Sequence, residues 1–93
     1  MPALGLDTIV ARKTGAAAAP VDDELVLLDP RRSRYFSFDP TGRRVWELLE
    51  EPQSVRALCT ALEREYAVEP ERCEAEVVSF LEQLTQHELV ETR

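Results

Sequence analysis

Ninety-three residues suffice for one domain with a modest core and are too few for two independent cores. Apolar residues make up 44% and charged residues 31%, a globular balance that excludes a disordered chain. Eleven basic against 18 acidic residues leave a net charge of -7, so the surface repels phosphate on average and nucleic acid is a disfavoured partner.

The N-terminal MPALGLDTIVARK lacks an apolar run of signal-peptide length, and no segment approaches the roughly 20 apolar residues of a membrane span. A soluble cytoplasmic protein with no membrane partner is expected. Thr8 to Arg12 reads as a short strand. Thr14 to Pro20 combines a breaker at each end with small side chains and reads as a connector, with a brief alanine helix as the alternative. Residues 1–20 are thus an N-terminal strand and connector ahead of a core at 21–91, all in a single domain spanning 1–93.

Two apolar runs follow, Glu24 to Asp29 and Arg34 to Phe38, separated by the polar, proline-containing Pro30-Arg31-Arg32-Ser33. This spacing predicts an antiparallel hairpin. Strand side chains alternate, so Phe36 and Phe38 share the face expected to point into the core while Tyr35 and Ser37 share the other. Asp39-Pro40-Thr41-Gly42 stops the ladder and offers Asp39 or Thr41 as a helix N-cap.

Three helices complete the pattern. Val45, Trp46, Leu48 and Leu49 form the stripe of the first, which ends near Glu51-Pro52. Ser54 caps the second, with Val55, Leu58, Leu62 and Tyr66 on one face. Pro70 suits the first position of the third, where Glu69, Glu71, Glu74 and Glu76 complement the helix dipole and Val77, Phe80, Leu81 and Leu84 form the apolar face. Leu89-Val90 then packs back as an end cap. Strands followed by helices argue an α+β fold: a three-stranded antiparallel sheet with three helices on one face.

Chemistry is poorly supported by this pattern. Cys59 and Cys73 fall inside helices and read as buried free thiols, and with His87 as the sole histidine no metal site is expected. No residue pairs with His87 as a nucleophile, so no catalytic residue and no cofactor are expected.

The features from Val21 to Glu91, about three-quarters of the chain, form an ordered set: the acidic hairpin end at Asp29, the Arg-Tyr-aromatic strand, the Asp-Pro-Thr-Gly turn, the Val-Trp-Glu-Leu-Leu helix start, Val-Glu-Pro-Glu, and the Phe-Leu-x-x-Leu stripe. In this order and spacing the chain resembles the PqqD-like proteins, also called RiPP precursor peptide recognition elements. Within them it is most similar to the stand-alone leader-binding proteins of lasso peptide clusters. It departs from the family at Phe38, where Leu is usual, and at Glu88, where Gly precedes the terminal Leu.

The resemblance implies a winged helix-turn-helix-like fold and a non-catalytic role. Such a protein binds the leader of a ribosomally made precursor peptide as an added strand and delivers it to a maturation enzyme. That enzyme is a leader protease in the lasso reading; the alternative is a radical SAM enzyme, with a PqqD-type chaperone acting in pyrroloquinoline quinone synthesis. The implied site is the strand edge Arg34, Tyr35, Phe36, Ser37, Phe38 and Asp39 beside the third helix, with Val77, Val78 and Leu81 as groove wall and Glu74 and Glu82 at the rim. Phe36, Phe38, Val77 and Leu81 have a plain alternative as core residues. Tyr35 is either an ordinary exposed aromatic or a contact to a partner enzyme. Arg31, Arg32, Arg34, Arg43 and Arg44 form a basic cluster that a DNA-binding winged helix would use, against which stand the acidic third helix and the overall charge.

Overall fold

A computed structural model describes residues 4–93; Met1 to Ala3 of the N-terminal segment lie outside the described residues. The elements are β1 (Ile9–Arg12), β2 (Ala17–Val21), β3 (Glu24–Asp29), β4 (Arg34–Phe38), α1 (Pro40–Leu48), β5 (Gln53–Ser54), α2 (Val55–Glu65), α3 (Pro70–Gln86) and β6 (Val90–Thr92). The architecture is α+β, with three-stranded antiparallel sheets and three helices, as the sequence predicts.

Sheet membership differs from the sequence expectation. The predicted hairpin β3–β4 pairs in register from Leu25 opposite Phe38 to Asp29 opposite Arg34. Its third strand is β2, formed by the segment expected to be a connector, paired with β3 from Ala17 opposite Leu28 to Val21 opposite Glu24. An edge strand needs no buried bulk, so alanines serve there, and Pro20 is tolerated because an edge residue can do without its ladder donor. The two-residue β2–β3 loop places Asp22 at φ 56°, a left-handed conformation that Asp accepts more readily than most residues. The predicted first strand, β1, instead joins a second sheet ordered β5-β1-β6.

Each helix begins where the sequence places a signal. Asp39 Oδ1 accepts from the Gly42 amide at 2.8 Å, settling the choice between Asp39 and Thr41, and Ser54 Oγ accepts from the Ala57 amide at 3.0 Å. Pro70 occupies the first turn of α3, where its missing amide leaves no bond unmade. One contiguous core joins both sheets and all three helices, with Leu27, Leu49, Leu58, Leu81, Val10, Val45, Val55 and Val90 fully buried. Cys59 and Cys73 are free thiols inside this core, and burial, reinforced by the neighbouring Cys73, pushes the Cys59 thiol up to about 12.

The turn after α3 is made despite the missing glycine. The Glu88 amide donates to the Thr85 carbonyl at 3.0 Å and the Leu89 amide to the Leu84 carbonyl at 2.9 Å, the paired bonds of a Schellman motif. Glu88 adopts φ 59° to close it, and its carboxylate pairs with Arg32. Leu84 and Leu89 are both buried, supplying the apolar contact that accompanies this motif. Leu89 and Val90 thereby lead into β6, which lies beside β1.

Candidate functional site: an open strand edge beside a helix

In the sheet β2-β3-β4, strand β4 pairs only with β3, so its other edge has no strand partner among the described residues. An unpaired edge presents a row of backbone donors and acceptors at strand spacing. Beside it lies a groove of about 440 Å³, with Tyr35, Phe36, Ser37, Phe38 and Asp39 along one side and Phe80, Gln83 and Leu84 of α3 with its C-cap His87 along the other.

Aromatic contacts set the width of this groove. Phe38 is buried and meets the Phe80 ring edge-on, with centroids 5.2 Å apart at 81°, and lies 6.1 Å from the Trp46 ring. Gly42 permits that approach: a Cβ there would lie 3.2 Å from both Phe38 Cβ and Phe80 Cζ. A second cleft of about 420 Å³ shares Asp39 and Phe80 with the groove and is otherwise lined by residues such as Val45, Leu62, Tyr66 and Val77.

At the other end, Arg34 clamps β4 to the end of α3. Its Nη2 donates to the His87 carbonyl at 3.1 Å and to Asp29 Oδ2 at 3.2 Å, while Nη1 lies 3.3 Å from His87 Nδ1. The guanidinium sits 5.3 Å above the Phe36 ring, whose centroid is 4.8 Å from that of His87. Asp29 is only 5% exposed. Its desolvation acts to raise the pKa, but hydrogen bonds from Arg34 and Arg32 outweigh it and hold the carboxyl below its ordinary range.

The sequence-derived site residues separate into two groups. Arg34 to Asp39 all stand along the open edge or its end: Tyr35 is 73% exposed, the Ser37 hydroxyl donates to Glu24 Oε1 at 3.3 Å, and Phe36 is half-buried against the core. On α3, Val77 and Leu81 are buried in the core, Val78 packs partly against it, and Glu74 and Glu82 are exposed. None of these five lines the groove, because α3 turns a different stripe toward β4. Val78 and Glu82 are each two positions from Phe80, about 200° around the helix. Phe80, Gln83, Leu84 and His87 line the groove and stand outside the sequence-derived site; Phe80, Leu84 and His87 fall at successive offsets of four and three. That spacing puts them on one face of the helix, and the position of β4 is what marks this face as the groove wall.

Among the described residues, no three His, Cys, Asp or Glu side chains group to hold a metal ion, and no helix is long and apolar enough to cross a membrane. What the geometry offers is recognition of an extended chain: a backbone ladder for affinity and a walled groove for side chains.

No curated protein matches the chain. Among solved structures, it is similar to one described as TbiB1 in complex with the TbiA(beta) leader peptide. The two share 34% identity with a TM-score of 0.81, covering 87% of this chain and 94% of that one. A second, lasso peptide synthetase B1 complexed with the leader peptide, has a TM-score of 0.76 at 23% identity over 88% of this chain and 96% of that one, and shows the shared fold. The family model described as coenzyme PQQ synthesis protein D (PqqD) matches residues 24–90, a span that runs from the start of β3 into β6 and includes the whole groove. The chain therefore belongs to the PqqD family.

Proposed function

We propose that this protein captures the leader region of a ribosomally synthesised precursor peptide as an added strand on β4 and presents it to a separate maturation enzyme. The observation that carries this reading is the unpartnered edge of β4 beside the aromatic wall of α3. The backbone of residues 34–39 supplies affinity with little sequence reading, and Phe36, Phe80, Leu84 and His87 supply surfaces for alternate side chains of the guest strand. Val77 and Leu81 seat α3 from within the core. Glu74 and Glu82 are exposed on α3 outside the groove and take no part in its lining. The likeness to TbiB1, solved with a leader peptide, supports the same reading.

In this role the protein recruits and makes or breaks no bond. By the lasso resemblance the receiving enzyme is a leader protease. The whole chain acts as one leader-binding unit in the cytoplasm, where ribosomal precursors are made.

The strand-addition step is tested by Ser37→Pro, which removes an amide and stiffens the backbone of an exposed residue on the open edge. Isothermal titration with the leader encoded beside its gene should show affinity reduced by about tenfold, the scale of one net hydrogen bond. A folded variant, by circular dichroism, that retains full affinity contradicts strand addition.

A further inference from the structure

The Arg34 end of the groove opens onto positive charge that strand addition leaves unused. A pocket of about 130 Å³ lies where the β1–β2, β3–β4 and α3–β6 connections meet, and its charged lining is Lys13, Arg31, Arg32, Asp29 and Glu88. Both carboxylates are engaged: Asp29 by Arg32 at 3.3 Å and Arg34 at 3.2 Å, and Glu88 by Arg32. Lys13 and Arg31 form no ion pair among the described residues, although the chain as a whole carries a net charge of -7.

Arg34 joins this pocket to the groove, because one nitrogen reaches both the His87 carbonyl and Asp29. A strand lying along β4 passes Arg34 at one of its ends, whichever direction it runs. The residues that follow are delivered toward Lys13 and Arg31. A carboxylate there meets two cations without partners, whereas along most of this acidic surface it meets repulsion.

We infer that Lys13 and Arg31 form a carboxylate-binding subsite that takes an acidic residue of the precursor peptide just beyond the strand docked on β4. This rests on the strand-addition reading. The subsite fixes register and direction: backbone bonds alone tolerate a slipped or reversed guest, but an acidic residue can reach this pocket in only one alignment.

The test uses the full chain carrying Lys13→Glu and Arg31→Glu, two changes that touch no groove residue. Two fluorescein-labelled probes are titrated by anisotropy: the leader encoded beside the gene, and the same peptide with every Asp and Glu changed to its amide. The natural peptide should bind the double variant about tenfold more weakly than the unaltered protein at low salt, with the gap closing as salt is raised. The amide peptide should bind both proteins alike. Equal binding of the natural peptide by the two proteins, or a leader with no carboxylate outside its docked segment, overturns the subsite. Ser37→Pro separates the two ideas: loss of binding there alongside an unaffected double variant removes the subsite and keeps strand addition, and no binding by the unaltered protein removes both.

Discussion

Among the described residues the sheet β2-β3-β4 has two open edges, and they differ in everything except being open. Along β2 every residue is exposed, its middle is alanine, and Pro20 takes one amide out of the edge. β4 is aromatic, free of proline, and faced by Phe80, Leu84 and His87. An unpaired ladder by itself is a generic liability toward aggregation; a helix wall at the right distance is what converts one into a selective site.

The first way to break this contrast is to undermine the wall. Leu81 is fully buried beneath α3, and Leu81→Ala should cost about 2–5 kcal/mol of stability in urea unfolding. Val21→Ala on the β2 edge, where the side chain is 51% exposed, should change stability by no more than about 0.5 kcal/mol. A comparable loss at both sites would erase the distinction.

The wall can also be removed without its foundation. Phe80 is half-buried and touches both the groove and the neighbouring cleft, so Phe80→Ala should weaken leader binding by about 2 kcal/mol, roughly thirtyfold in titration calorimetry. A proline on the other edge is the matched control. Ala18→Pro should leave leader affinity within about twofold, against the tenfold loss expected for Ser37→Pro. Equal losses from the two prolines would mean that the guest does not choose between edges.

Smaller effects sharpen the clamp that aligns β4 with α3. Glu88 holds φ 59° at the end of α3, and Glu88→Gly should raise stability by about 0.5–1 kcal/mol, the relief of left-handed strain offset in part by loss of the exposed pair with Arg32. Thermal unfolding that shows destabilisation instead would mean the ion pair outweighs the strain. Asp29 has a folded pKa below its unfolded value, so its contribution is present above the ordinary carboxylate range and is lost as pH falls through the lowered folded value. Asp29→Asn should flatten the acid limb of a stability-versus-pH curve; an unchanged limb would remove Asp29 as its source.

The sequence carried the hairpin and the helices because each has a periodic or capping signal: alternation from Arg34 to Phe38, Asp39 and Ser54 as caps, Pro70 at a first turn. β2 was illegible because an edge strand of alanines buries nothing and leaves no alternation to see. The sheet β5-β1-β6 was hidden for a related reason: strands of two and three residues have no period, and their pairing depends on contacts far apart in the chain. Half of the candidate site, residues 34–39, was readable as a strand beside a turn. On α3 the most apolar stripe is the core stripe of Val77, Leu81 and Leu84, while the groove stripe of Phe80, Leu84 and His87 lies a fraction of a turn away and includes a polar ring. Hydrophobicity alone selects the first stripe; only the position of β4 selects the second.

The most direct test of the account is a titration of isotopically labelled protein with the leader encoded beside its gene, followed amide by amide. Strand addition predicts the largest shifts at residues 34–39 and at Phe80, Gln83, Leu84 and His87, with residues 17–21 of β2 unmoved. Shifts centred on β2, or no shifts at saturating leader, would contradict it.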